Sequence, residues 1–108
     1  MTDLRSLMHT DGDDGRIIVH LSGEIDLANV DGLEAQIDSA IVGRQHVVID
    51  LTAVDFIDSR GLRLLKRVST SVAGRDGTLV VVAPPSSIAR SVLDITGMSE
   101  ELTVHDEL

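Results

Sequence analysis

The stretch Val47-Val48-Ile49-Asp50-Leu51 decides the fold of this chain. It is an almost continuous apolar run containing one acid, which is typical of a parallel strand covered on both faces. A few residues later, Asp58-Ser59-Arg60-Gly61-Leu62 begins with two residue types that commonly cap helices. Apolar residues then recur at helical spacing as far as Ala73. The two stretches together predict a buried strand that leads directly into a helix.

The same pattern extends toward the beginning of the chain. A strand from about Leu4 to His9 and a β-rich run from Arg16 to Leu21 flank the turn-forming residues 11–15, which predicts a hairpin. Gly23-Glu24-Ile25-Asp26 ends the second strand. Apolar residues at helical spacing then predict a helix that stops near Gly43; they are Leu27, Val30, Leu33, Ile37, Ala40 and Ile41.

Toward the end of the chain, a turn at 74–77 precedes a buried strand from Thr78 to Ala83. A helix follows from Pro84-Pro85-Ser86 to about Gly97, and Leu102 to His105 forms a short last strand. The order is ββαβαβαβ, in which strand–helix–strand units favour parallel pairing. We therefore predict an α/β fold with a mixed, mostly parallel sheet and packed helices, as a single domain over residues 1–108.

Composition excludes several function classes. The chain is 43% hydrophobic with one Phe and no Trp or Tyr, so aliphatic residues form the core and no aromatic platform stacks on bases. The net charge of −9 argues against direct nucleic-acid binding, and it is consistent either with solubility alone or with a basic partner. No cysteine, signal sequence or membrane-length apolar run occurs. We expect a cytoplasmic protein without membrane attachment, as a monomer or weak dimer.

The helix after Asp58 carries most of the functional signal. At about 100° per residue, one side gathers the predicted core positions, and Leu62 lies between that side and the opposite one; the core positions are Gly61, Leu64, Leu65, Val68 and Val72. Ser59, Arg63 and Lys66 fall on the opposite side, so we expect Ser59 to be exposed. A phosphate there would add a charge of roughly −1.5 to −2, and the free N–H groups of the helix start would stabilise it.

Simpler interpretations of the same residues stay open. Ser59 alone is a common N-cap, and the basic residues of this helix also suit a plain solvated face; they are Arg60, Arg63, Lys66 and Arg67. An enzyme would need a base within reach of the serine. The four histidines lie in or beside predicted strands, without a Gly-x-Ser-x-Gly elbow, a metal-spaced pair or a glycine-rich phosphate loop; they are His9, His20, His46 and His105. We expect no catalytic, cofactor-binding or metal-ligating residues.

The chain resembles bacterial anti-sigma factor antagonists, which are single STAS domains. The resemblance covers nearly the whole length and rests on Gly23-Glu24-Ile25-Asp26, on Val47–Leu51 and on Phe56-Ile57-Asp58-Ser59-Arg60-Gly61-Leu62. It implies partner switching in transcription regulation, often in a stress response. The unmodified antagonist binds an anti-sigma factor that is also a serine kinase, which frees a sigma factor. The kinase phosphorylates the antagonist and releases it, and a metal-dependent serine phosphatase restores it.

The resemblance also implies roles for individual residues. Ser59 matches the phospho-acceptor, and Asp58 matches the acid that positions the serine and contacts the kinase. Gly61 and Leu62 match the helix start, where a partner approaches closely. Many members have a second Ser or Thr where this chain has Arg60, which leaves one acceptor hydroxyl. The implied partner-binding surface comprises Glu24, Asp26, Asp58, Ser59, Arg60, Gly61, Leu62 and Arg63.

Two other functions fit the same family. A STAS accessory or scaffold subunit of a transporter or a stress-signalling assembly would lack a phospho-switch. An antagonist that is never phosphorylated would act through its abundance. The pair Asp58-Ser59 favours the switch over both.

Overall fold

The structure is a computed structural model that describes residues 7–12 and 15–108. The elements of these residues are β1 (Leu7–Asp11), β2 (Ile17–Ile25), α1 (Val30–Ile41), β3 (His46–Ile57), α2 (Ser59–Ala73), β4 (Thr78–Val82), α3 (Ile88–Thr96), α4 (Met98–Glu101) and β5 (Thr103–His105). The strands form one sheet in the order β1-β2-β3-β4-β5, with β1 antiparallel to β2 and every other pair parallel. The predicted α/β class and the mixed, mostly parallel sheet are confirmed. The predicted order of elements along the chain is also confirmed, except that the short helix α4 is added before the last strand.

Alternate residues of the central strands define two sides of the sheet. One side joins the helices in the main core, to which β3 contributes Val47, Ile49 and Leu51. The other side carries a smaller apolar cluster of Ile18, Val48 and Val82. Period-two alternation places successive side chains on opposite faces, so the apolar residues of the run Val47–Leu51 contribute to both clusters at once.

The hairpin and the third strand differ from the predicted bounds. β1 pairs with β2 from Leu7↔Leu21 to Asp11↔Ile17, so the strand ends at Asp11 rather than at His9, and residues 4–6 of the prediction lie outside the described part of the chain. β3 continues to Ile57 rather than ending at Leu51, with register shifts against β2 on the way. Such irregularities break the simple alternation from which a strand is recognised.

Two helix starts also differ from the predicted positions. α1 begins at Val30, and Leu27 lies in the preceding turn with 63% of its surface exposed; the prediction that Leu27 belongs to the helix is wrong. The helix predicted from Pro84–Ser86 begins at Ile88, with the Ser87 hydroxyl as its cap. It ends at Thr96, in agreement with the predicted end near Gly97, because Gly97 adopts a left-handed φ of 82°. The short helix α4 that follows was not predicted.

The core stripe predicted for α2 is confirmed. Gly61, Leu64, Leu65, Val68 and Val72 are all buried, and Leu62 joins them at 9% exposure. In the described ranges, none of the helices has the length and apolar character needed to cross a bilayer.

Candidate functional site at the start of helix α2

The candidate site lies where the parallel strands β2 and β3 end together. Their last pair is Ile25↔Ile57, and the next residue, Asp58, donates its amide to the carbonyl oxygen of Ile25 over 3.1 Å. The loop after β2 and the start of α2 are therefore held side by side. Connections at the carboxyl ends of parallel strands are common places for binding sites in α/β proteins.

The carboxylate of Asp58 organises this junction. Its Oδ1 accepts hydrogen bonds from the amides of Arg60 at 2.9 Å and Gly61 at 3.1 Å. Its Oδ2 accepts a third from the amide of Leu27 at 3.2 Å. One side chain thus satisfies two free donors of the helix start and ties the helix to the β2–α1 loop.

Ser59 is the first residue of α2 and is exposed. Asp58 is the N-cap, so the interpretation of Ser59 as a simple cap is wrong. Within the described ranges, the Ser59 hydroxyl has no hydrogen-bond partner. Another protein could therefore bind the hydroxyl without breaking a hydrogen bond that stabilises the helix.

Gly61 and Leu62 have internal roles. A Cβ on Gly61 would lie 2.6 Å from Cγ1 of Ile57 and 2.8 Å from Cγ2 of Ile25. Glycine therefore lets α2 approach the ends of β2 and β3 closely, and the neighbours that need the space belong to this chain. Leu62 packs into the main core. Both residues are buried and offer little surface to a partner, contrary to the place they were given in the predicted contact surface.

The basic residues of α2 divide into two pairs. Lys66 forms an ion pair with Glu101 of α4, and Arg67 forms one with Glu34 of α1. Arg60 and Arg63 are exposed, and neither forms an ion pair within residues 7–12 and 15–108. They line a shallow groove between α1 and α2 together with Val30, Asp31, Glu34, Leu64 and Arg67. The unpaired positive charge is thus confined to the first two turns of the helix.

The acidic end of β2 lies beside this junction and shapes it. Glu24 is exposed and pairs across the sheet with Phe56. Asp26 accepts a hydrogen bond from the amide of Ala28 at 3.0 Å. The N-cap of α1 is Asn29, whose side-chain amide donates to the carbonyl of Glu24 over 2.7 Å. Asp26 therefore builds the turn before the helix rather than capping the helix itself.

Sequence reasoning missed two apolar residues in this region. Leu27, whose amide donates to Asp58, is 63% exposed, and Phe56, two residues before Asp58, is 48% exposed. Exposed apolar residues close to polar groups often contribute to protein interfaces. The single Phe of a chain without Trp or Tyr was the available signal for one of them, whereas Leu27 was concealed by its agreement with the helical spacing.

A second polar cluster lies in the middle of the sheet. Asp50 Oδ2 lies 2.8 Å from His20 Nδ1, and Asp50 Oδ1 accepts from the amide of Thr52 at 3.0 Å and from its hydroxyl at 2.5 Å. Burial by itself raises the pKa of Asp50, but the bonds from Thr52 and the neighbouring His20 outweigh it, so the pKa lies below its ordinary value of 3.8. Among the described residues, no group of His, Asp and Glu is arranged to hold a metal ion.

Comparison with known proteins assigns the chain to a family. The model of the STAS domain matches residues 8–108 of the chain. The chain belongs to the STAS domain family. It is 33% identical over 96 residues to the anti-sigma F factor antagonist of Paenibacillus polymyxa, which covers 85% of this chain and 80% of the relative.

Solved structures of similar proteins agree with the fold described above. A crystal structure of an anti-sigma factor antagonist from Mycobacterium paratuberculosis matches with a TM-score of 0.74 at 27% identity, over 100% of this chain and 92% of that one. The phosphorylated form of the Bacillus cell fate determinant SpoIIAA matches with a TM-score of 0.67 at 19% identity, over 92% of this chain and 90% of that one. The second likeness concerns the fold alone. In this STAS domain, the start of α2 is where the exposed serine, the unpaired arginines and the exposed Leu27 occur together.

Proposed function

We propose that this STAS domain is an anti-sigma factor antagonist whose binding is ended by phosphorylation of Ser59. Its partner is an anti-sigma factor with serine kinase activity, and binding frees the sigma factor for transcription. One observation carries the proposal: an exposed serine hydroxyl without an internal partner lies at a helix start that Asp58 already caps. The names of the relatives, anti-sigma factor antagonists, support the choice of partner.

The chain acts as ligand and substrate and has no catalytic role of its own. In the kinase, the Ser59 oxygen attacks the γ-phosphorus of ATP, the bond from that phosphorus to the β,γ-bridging oxygen breaks, and ADP leaves. The serine proton passes to a base that the kinase supplies. Asp58 is engaged with three backbone amides, so its role is to hold the serine in place and to offer its outer edge to the kinase.

Phosphorylation changes the surface and leaves the fold intact. No internal bond is lost when the hydroxyl is modified, because the cap belongs to Asp58. A group with a charge of roughly −1.5 to −2 appears on the surface that the partner covers. A serine phosphatase reverses the change by transferring the phosphoryl group to water, and the serine recovers its proton. The contact surface that we propose consists of Glu24, Asp26, Leu27, Asp58, Ser59, Arg60 and Arg63.

The experiment compares the two states directly. The chain is prepared unmodified, as Ser59→Ala, and with phosphoserine inserted at position 59 during translation. Its affinity for each purified anti-sigma factor kinase of the source bacterium is measured by isothermal titration calorimetry. Phosphoserine at exposed Ser71, on the same helix, is the matched control for added charge.

We expect Ser59→Ala to bind as the unmodified chain does and to resist phosphorylation by the kinase. Phosphoserine at 59 should weaken binding about 5- to 150-fold, the usual range of coupling between sites, whereas phosphoserine at 71 should change it little. Equal affinity of the unmodified and Ser59-phosphorylated chains would reject the switch. Absence of binding to every one of these kinases would reject the proposed partner class, and co-purification of the chain with a transporter ATPase would then assign it to the accessory-subunit alternative.

A further inference from the structure

Arg63 stands one helical turn after Ser59. Residues four apart in a helix are neighbours on its surface, with Cβ atoms about 5–6 Å apart. Both residues are exposed, and Arg63 has no ion pair within the described ranges, whereas Lys66 and Arg67 in the next turn are each held by a glutamate. An arginine that is not engaged elsewhere is free to turn toward a group attached to the Ser59 oxygen.

Three of the backbone donors at the helix start are already occupied. The amides of Arg60 and Gly61 donate to the carboxylate of Asp58, and the amide of Leu62 donates to the carbonyl oxygen of Asp58. The sequence-based expectation that free N–H groups would stabilise a phosphate here is therefore wrong for these three amides. A phosphate on Ser59 would also have the negative charge of Asp58 as its neighbour. A cationic side chain within reach therefore becomes the main source of stabilisation for the phosphate.

We propose that Arg63 is the phosphate-binding residue of the modified chain, and that its guanidinium pairs with phosphoserine at position 59. This inference rests on the proposed function only for the occurrence of the modification. Guanidinium is suited to the task because it donates two parallel hydrogen bonds to phosphate oxygens. Arg60, adjacent in sequence, points about 100° away around the helix and contributes general positive charge.

Pairing with Arg63 gives phosphorylation a second effect on the surface. The unmodified helix start offers two unengaged guanidinium groups to a partner, in a chain whose net charge is −9. A phosphate of roughly −1.5 to −2 held by Arg63 removes that positive charge as well as adding bulk. The partner surface that fits the unmodified state is therefore acidic at the point that meets Arg60 and Arg63.

The test needs neither kinase nor partner. Phosphoserine is inserted at position 59 during translation, and its second ionisation is followed by 31P NMR titration at low ionic strength. The ordinary pKa of this step is about 6. A nearby guanidinium favours the dianion and lowers that pKa. We expect the value to rise by about half a pH unit in Arg63→Gln relative to the otherwise unchanged phosphoprotein.

Two further variants make the result specific. Lys66→Gln removes the same charge from the same side of α2 at a residue already paired with Glu101, and it should move the phosphoserine pKa by less than Arg63→Gln does. Arg63→Lys, which keeps the charge and loses the paired donors, should give an intermediate value. The inference is overturned if Arg63→Gln leaves the titration unchanged or moves it no more than Lys66→Gln. A phosphoprotein whose titration depends on Arg63 but which still binds the kinase unweakened would reject the proposed function alone.

Discussion

Asp50 lies within strand β3, and Asp58 lies directly after it. Each accepts three hydrogen bonds, yet one acts in the interior of the protein and the other at its surface. Asp50 is 9% exposed, and its partners are the amide and hydroxyl of Thr52 and the ring of His20. Asp58 is half-buried, and its partners are backbone amides of two separate segments. The buried acid stabilises the interior of the sheet, whereas the rim acid shapes a surface.

This difference shows how a single carboxylate at the rim of the sheet can fix the geometry of the candidate site. Asp58 is in contact with α2 and with the β2–α1 loop, so one carboxylate fixes the relative position of both segments. The Ser59 side chain is therefore not needed to hold the start of α2 in place. Asp50 makes no comparable link to the rim, and its removal should disturb stability without changing the geometry around Ser59.

The largest expected effect follows from Asp58→Ala. It leaves three backbone amides without their acceptor and should lower the free energy of unfolding by about 2 kcal/mol, near the upper end for loss of a helix cap. Chemical denaturation monitored by circular dichroism measures the change. Asp55→Ala is the control, because the Asp55 side chain is exposed and makes no hydrogen bond in the described residues, and its effect should stay within about 0.5 kcal/mol. Equal losses in the two variants would contradict the assigned role of Asp58.

Asp50→Asn should cost less, about 1 kcal/mol, because the carboxamide oxygen can still accept from Thr52. The pH profile separates the two acids further. Since the folded pKa of Asp50 lies below 3.8, its carboxylate stabilises the fold above that pH, and this contribution is lost as the pH falls through the folded pKa.

Unfolding free energies measured from pH 6 down to about pH 2 therefore test this assignment. The unmodified chain should lose stability more steeply than Asp50→Asn below about pH 4. Parallel profiles of the two proteins would show that Asp50 contributes no pH-dependent stability.

The smallest expected effect is that of Ser59→Ala on stability. Because the Ser59 hydroxyl is not the cap, the free energy of unfolding should change by less than about 0.5 kcal/mol. Thermal or denaturant unfolding of Ser59→Ala, measured in parallel with Asp58→Ala, compares the stability contributions of the two adjacent residues. If Ser59→Ala lowered the free energy of unfolding by about 1 kcal/mol or more, the serine would be a helix cap after all.

The fold was predictable from the sequence because its signals are local. Apolar runs, helical spacing and turn residues recur in the order that a strand–helix–strand protein needs, and no distant contact had to be known. The missed features have local causes as well: β3 extends through register shifts that break alternation, and α4 has only four residues, too few for helical spacing to be recognised.

The candidate site was less predictable, since its properties depend on residues far apart in the chain. Asp58 and Ser59 are equally good caps by residue type, so the sequence does not distinguish them. In the folded chain, Asp58 also accepts a hydrogen bond from the distant amide of Leu27. Likewise, four basic residues within α2 looked equivalent. In the structure they differ, because Lys66 is paired with Glu101 and Arg67 is paired with Glu34, whereas Arg60 and Arg63 form no ion pair in the described residues.

The close approach that Gly61 permits has a consequence for how Ser59 is recognised. Here the serine is two residues from a glycine wedged against Ile25 and Ile57, on a helix that cannot unwind without opening the core. An enzyme that modifies Ser59 must therefore accept a rigid, preformed shape. Its specificity would depend on the docking of two folded surfaces rather than on a short consensus sequence around the serine.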